Sequence, residues 1–535
     1  MTDGVAVTPD MTYDIGAQAT VNVEAAAEEA ISNMPRINVL RQTPTPEALQ
    51  LIPEKLARKY NTIPLSVEKN TLKVAMAYPD DVLAIEALAA RTKKRIEPIP
   101  AQLEDVKEAI DFNYRAFTEI ANQVGTVGTV EVTADEADST FDIAETKDDS
   151  PVAHALNMVI EEGVKSRASD IHIEPEADKI HIRYRIDGIL HDVLSLPSAI
   201  HLPFISRIKV LAGMNIADHR RPQDGQFAFE AMGKCIDIRV ATINTVHGEM
   251  SVMRLLDKSM GAISLSKLGF LHDSQKKFEQ MLAVPYGMVL VSGPTGAGKT
   301  TTLYSAVNSL DKTTRKIITL EDPVEYHFEG INQIQINQRA GLTFASGLRS
   351  IVRLDPDVIL VGEIRDGETA QIAVQSALTG HLVLSSVHAN DTVSVLFRLI
   401  DLGVEPFLIS SSVIGIIAQR MVRRVCPYCG KEVEAPLVEQ IAYHAETGEE
   451  RSQFIYGEGC KACVYSGYLG RTGVFELLVI NDEIRQLLVN GASATQIRAQ
   501  AIKDGLIGIA KDGMLKAKTG MTTPYEVLRN AYSTA

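Results

Sequence analysis

"VSGPTGAGKTTTLYSAV", residues 291–307, holds the pattern G-x-x-x-x-G-K-[ST] from Gly293 to Thr300. It follows the apolar run "GMVLVS" and enters a segment with apolar positions at Leu303, Ala306, Val307 and Leu310, so a strand passes into a helix through a glycine-rich turn. Glycines at such a junction let backbone N–H groups face phosphate oxygens at a helix N-terminus. The residues expected to bind ATP are therefore Gly293, Pro294, Thr295, Gly296, Ala297, Gly298, Lys299, Thr300 and Thr301. Lys299 is expected on the β and γ phosphates, and Thr300 on magnesium.

Around this loop, short apolar runs alternate with helical patterns from about residue 262 onward: "GMVLVSG", "RKIITLED", "DVILVGE" and "HLVLSSVH". Four near-continuously apolar strands, each followed by a loop or helix, predict an α/β domain with a mainly parallel sheet covered on both faces. Two of the strands end in acids. "VILVGEIRD" places Glu363 just past its strand, where a phosphate-loop enzyme needs a carboxylate near magnesium and its waters. "ITLEDPVEYHFEG" places Glu321, Asp322 and Glu325 after another, and one of these is expected to polarise the attacking water. Asp366 is expected to cap the next helix. His388, in "SSVHAND", either senses the γ-phosphate or satisfies a backbone carbonyl.

The remaining chain divides by composition. At 535 residues, 45% hydrophobic and 23% charged, it is long enough for several globular domains. Residues 1–40 have no Lys or Arg before Arg36 and are expected to be a flexible tail. Residues 41–120 read as a small α/β module, with "PEALQLIPEKLARKY" and "AQLEDVKEAIDFNY" helical and "TLKVAMA" a strand. Within 121–150 the segment 124–150 has eight acidic residues against Lys147 alone and is expected to be a self-repelling linker. Residues 151–260 open with a helix and continue as alternating strands, "DIHIEP", "KIHIRYRIDG" and "CIDIRVATI". The motor domain occupies 261–535.

Four of the five cysteines form "CPYC" (Cys426, Cys429) and "CKAC" (Cys460, Cys463), thirty residues apart, within an element expected at 424–470. Two C-x-x-C knuckles wrap one tetrahedral Zn²⁺, and four thiolates make the site structural rather than catalytic. Cys235, alone in a strand, is expected to be a small core residue.

Taken together, the phosphate loop, "LEDPVEY", "DPDVILVGEIRD" and "TGHLVLSSVHAND" make residues 150–530 resemble the secretion ATPases that assemble type IV pili and type II secretion pseudopili; the resemblance extends more weakly to 45–115. It implies a RecA-like motor with a zinc-binding C-terminal insertion, a β-rich PAS-like α+β domain before it and an N-terminal docking module. It implies that Glu363 is the Walker B acid, that Glu325 or Glu321 activates water, and that His388 senses phosphate. It further implies that Arg239 and Arg254, in the preceding domain, reach the phosphates as that domain swings about a connection near 259–263. Arg349, Arg353 and Arg365 are expected on a surface near the site. The implied protein is a cytoplasmic homohexamer held at the inner face of the membrane by a platform protein and by the cytoplasmic domain of a membrane assembly protein. The zinc element and the N-terminal module favour assembly over retraction. No upstream "RLG" segment of the cyclic-di-GMP-binding type precedes the module, so direct control by that nucleotide is not expected.

Net charge −15, from 53 Lys plus Arg against 68 Asp plus Glu, and the absence of Trp oppose broad nucleic-acid binding. A nucleic-acid translocase on the same core, and a nucleotide-gated binding module with little hydrolysis, are the competing readings. The chain has no apolar run of the roughly 18 residues that a membrane span needs.

Overall fold

The structure, a computed structural model, describes residues 44–124, 150–257 and 263–531. The acidic segment and the connection near 259–263 lie largely, and the N-terminal tail wholly, outside the described residues. Two compact units divide the chain: residues up to 233 with 237–256, and residues 234–236 with 257 onward.

In the first unit, the helical pattern at 46–60 forms two helices, Pro46–Leu51 and Glu54–Tyr60. Ile52 is extended because the ring of Pro53 disfavours helical backbone in the residue before it. Strands β1 (Thr62–Glu68), β2 (Thr71–Met76) and β3 (Arg95–Pro100) form a sheet in the order β1-β2-β3. The helix Leu103–Val124 covers it, and Tyr114 donates its hydroxyl to the Ile52 carbonyl at 2.6 Å.

Six further strands, β4 (Ala168–Pro175), β5 (Lys179–Ile186), β6 (Ile189–Pro197), β7 (Gln223–Ala231), β8 (Lys234–Thr245) and β9 (Gly248–Asp257), form a second sheet ordered β6-β5-β4-β9-β8-β7. The β5–β6 hairpin turns at Asp187 and Gly188, both at positive φ, which is the two-residue turn that suits twisted strands. In β5, Ile180, Ile182, Tyr184 and Ile186 point inward, and Tyr184 reaches the Val159 carbonyl of the helix Pro151–Lys165. Cys235 is exposed, which corrects the expectation of a core residue. Ile236, Ile238 and Val240 take the buried face of β8, and a residue one step out of phase with them faces away.

In the second unit, β10 (Gly287–Ser292), β11 (Ile317–Glu321), β12 (Asn332–Gln335), β13 (Val358–Val361), β14 (Leu382–Val387), β15 (Val413–Val425) and β18 (Tyr468–Val479) form one sheet ordered β12-β11-β13-β14-β10-β15-β18. All pairs are parallel except β15–β18. Each of β10, β11, β13 and β14 is buried along its whole length. Alternate residues feed two cores: Leu290, Ile359 and Val383 on one face, Val289, Leu360 and Leu384 on the other. Parallel strands with both faces covered put their C-terminal ends, and the loops beyond them, along one edge. Between β15 and β18, the strands β16 (Gly430–Glu434) and β17 (Gln453–Gly457) and the helix Leu437–Thr447 build a side element. Tyr443 and Phe454 in it pack with Met514 and Val527.

Candidate functional site

The loop after β10 turns where only glycine fits well. A side chain at Gly293 would put its Cβ 2.5 Å from the Gln419 carbonyl oxygen, and Gly298 has φ 83° as it begins the helix Lys299–Ser309. Ala297 is buried, while Pro294, Thr295 and Gly296 are exposed around the open side. Lys299 Nζ donates to the Gly293 and Pro294 carbonyls at 2.7 and 3.0 Å. Burial lowers its pKa; the Glu363 charge opposes that shift and Arg420 adds to it. Thr300 follows in the first turn, half-buried, and Thr301 is exposed. A glycine cradle with a lysine and a hydroxyl at its helix end fits a nucleotide polyphosphate with magnesium.

Glu363 is held from both sides. Gly362 donates its N–H to Leu320 on β11 at 2.8 Å, Ile364 donates to Ser386 on β14 at 2.9 Å, and Ser386 Oγ donates to the Gly362 carbonyl. The carboxylate meets Arg365 Nε at 2.6 Å and His388 Nε2 at 3.4 Å, so the sequence-predicted acid and histidine come together. Asp366 caps the next helix by accepting from Thr369 N at 2.8 Å. A cavity of about 520 Å³ opens between Gly293, Pro294, His388, Asn390 and Arg398.

The other two glutamates separate. Glu321 is the last residue of β11, 4% exposed, and its carboxylate accepts hydrogen bonds from Tyr304, Thr319 and Gln333. Burial first, and then the Glu321 carboxylate, hold the Tyr304 phenol protonated. The same hydroxyl accepts the Glu325 backbone N–H at 3.2 Å, which fixes the loop that presents Glu325. Of the arginines, Arg349 pairs with Glu368, and Arg353 is exposed. Arg254 on β9 bonds Asp170 on β4 at 3.0 Å, and Arg239 lies half-buried on β8 in the first unit.

In the side element the four cysteine sulfurs lie within 4.8 Å of one another. Cys426 and Cys460 are 3.8 Å apart, Cys429 and Cys463 3.9 Å, and Cys460 and Cys463 3.8 Å. A disulfide needs about 2.05 Å, whereas four sulfurs around one ion at ~2.3 Å sit about 3.8 Å apart. Burial pushes the Cys429 thiol up to about 12 even though Gly459 N–H donates to it, so a bound cation is what would hold it as thiolate. The donor set fits one tetrahedral, thiolate-preferring metal ion.

The profile of the family described as "Type II/IV secretion system protein" matches residues 145–529, and that of the "MshEN domain" matches 32–119. The chain belongs to the type II/IV secretion system protein family. The type IV pilus assembly ATPase PilB of Myxococcus xanthus is 40% identical over 502 residues, covering 93% of this chain and 89% of the relative. The type II secretion system protein E of Dickeya dadantii is 41% identical over 495 residues, covering 91% and 98%. The Legionella pneumophila ATPase DotB shares the fold, with TM-score 0.53 and 20% identity over 70% of this chain and 94% of that one. The chain is thus an ATPase of this secretion family, with a RecA-like motor.

Sequence reasoning missed three residues that build this secretion-family site. Tyr304, beside Leu303 on the phosphate-loop helix, was not singled out. Gln419 and Arg420 lie in β15, which the sequence analysis did not single out. Arg420 is 6% exposed and donates to the Gln419 and Asn390 carbonyls at 3.1 and 2.9 Å. The only sequence signal was a Gln-Arg pair inside the apolar run "VIGIIAQRMV", polar residues placed where a buried strand tolerates them only with partners.

Proposed function

We propose that this chain is the hexameric ATPase that hydrolyses ATP to drive assembly of type IV pilus or type II secretion pseudopilus fibres through an inner-membrane platform protein, working on the cytoplasmic face of that membrane. One observation carries the catalytic reading: Glu363 is fixed between two strands, 3.4 Å from His388 and 2.6 Å from Arg365, at the sheet edge that also presents Lys299. In this reading Lys299 neutralises the β and γ phosphates, Thr300 and Glu363 hold magnesium and its waters, and His388 reports on the γ-phosphate. Magnesium, when bound, screens the charge that builds on the phosphoryl oxygens. Glu325 orients and deprotonates the attacking water. Its claim over Glu321 is supported by the commitment of the Glu321 carboxylate to three buried donors. The Cys426, Cys429, Cys460 and Cys463 site is assigned to structural Zn²⁺, because four thiolates fill the coordination sphere.

ATP turnover by the purified chain tests the reading. Lys299→Ala and Glu363→Gln should each lower turnover by roughly 100-fold or more, with nucleotide binding largely kept in Glu363→Gln. Near-wild-type turnover by either variant overturns the site.

A further inference from the structure

Gln419 is 1% exposed in the middle of β15, a strand with β10 on one side and β18 on the other. A primary amide offers two N–H donors and two lone pairs, and burying them unmet is costly. One end of this one is met by the phosphate loop and the other by the first turn of the helix that follows it. Nε2 donates to the Ala297 carbonyl at 2.5 Å, and Oε1 accepts from Thr302 Oγ1 at 2.8 Å. The Ala297 oxygen can only accept, so the nitrogen of the amide must be the end that faces it. The backbone of Gln419 touches the loop too, since its carbonyl oxygen is the atom that forbids a side chain at Gly293, and Nε2 lies 3.3 Å from where a Cβ on Gly298 would sit.

We propose that Gln419 is the positioning residue of the phosphate loop, setting the orientation of the peptide that links Ala297 to Gly298. The C=O and N–H of a trans peptide point in opposite directions. Anchoring the Ala297 oxygen into β15 therefore turns the Gly298 N–H away from the sheet, toward the concave side where phosphate oxygens are received. The Thr302 bond fixes the first turn of the same helix, so loop and helix are referenced to one side chain. Arg420 holds the Gln419 carbonyl and the Asn390 carbonyl together, which extends the bracket to the segment carrying His388. Gln419 touches no substrate; it acts through the loop. The proposal rests on the ATPase reading of that loop.

Titration of the full chain with a fluorescent ADP, in apo-folded variants checked by melting temperature, tests it. Gln419→Leu keeps most of the volume and removes the amide; ADP affinity should fall by about tenfold or more. Gln419→Glu separates positioning from bulk. A protonated carboxyl can donate to the Ala297 oxygen as the amide does, whereas a carboxylate repels it, so this variant's affinity relative to the wild type should fall as pH rises through the titration of that carboxyl. The cationic neighbours Lys299 and Arg420 move the midpoint of that fall downward but leave its direction. Wild-type affinity in Gln419→Leu, or wild-type affinity in Gln419→Glu at pH 9, where its carboxyl is ionised, overturns the proposal. If Gln419→Leu does not fold, Thr302→Val decides: it loses only the hydroxyl bond, affinity should drop about threefold, and no change overturns the assignment. Lys299→Ala tells the two levels apart. Weak binding there with normal binding in the Gln419 variants sinks the positioning role alone, while normal ADP binding in Lys299→Ala sinks the loop assignment beneath it.

Discussion

Glu321 and Glu325 stand four apart in one acid-rich segment, and the sequence offers no physical reason to prefer either as base. What separates them is long-range: Tyr304 and Gln333 reach Glu321 from other elements, and neither partner could be read from spacing. By contrast, Glu363 and His388 were legible, because the ends of parallel apolar strands share an edge whatever the strand order. The separation makes a prediction. Glu325→Gln should abolish ATP turnover at an unchanged melting temperature. Glu321→Gln places an amide N–H₂ against hydroxyl and amide donors in a buried pocket, costing about 1–3 kcal/mol of stability; turnover per folded molecule should survive. Melting curves and turnover on the same preparations check both, and the opposite pattern would exchange the two roles.

Strand β15 shows how an element can hide in a sequence. The four central strands are near-continuously apolar and announce themselves, whereas β15 carries Gln419, Arg420 and Arg423 among its apolar residues, each of which finds a specific partner. Its far end leads straight into Cys426, whose N–H donates to the Gly467 carbonyl at the start of β18. The four cysteines therefore close the β15–β18 ladder at its Val425–Tyr468 end. The cysteine pairs themselves were legible because metal-ligand spacing is a local property. Cys429→Ser, or Cys463→Ser, should release one zinc per chain and lower the melting temperature, since structural zinc contributes folding free energy directly. ADP affinity at temperatures where the variant stays folded should be near that of the wild type. Metal analysis that finds no zinc in wild-type protein purified under reducing, chelator-free conditions would refute the site.

At the scale of the whole molecule, charge decides between two uses of one motor. A RecA-like core serves protein machines and nucleic-acid machines alike, and the sheet does not distinguish them. A nucleic-acid track works by releasing counterions from phosphates neutralised by Lys and Arg, which demands a surplus of cations along a path. This chain has net charge −15, and three arginines near the site are engaged: Arg365 with Glu363, Arg349 with Glu368, and Arg498 with Asp391. Each of those pairs would have to be broken before its arginine met a phosphate backbone. Aromatic stacking platforms are also scarce, with no Trp in the sequence. ATP turnover of the purified protein at low salt should thus change by less than about twofold when single- or double-stranded DNA is added. A rise of tenfold that faded as salt increased would carry the signature of counterion release, and it would move the substrate of this motor from a protein fibre to a nucleic acid.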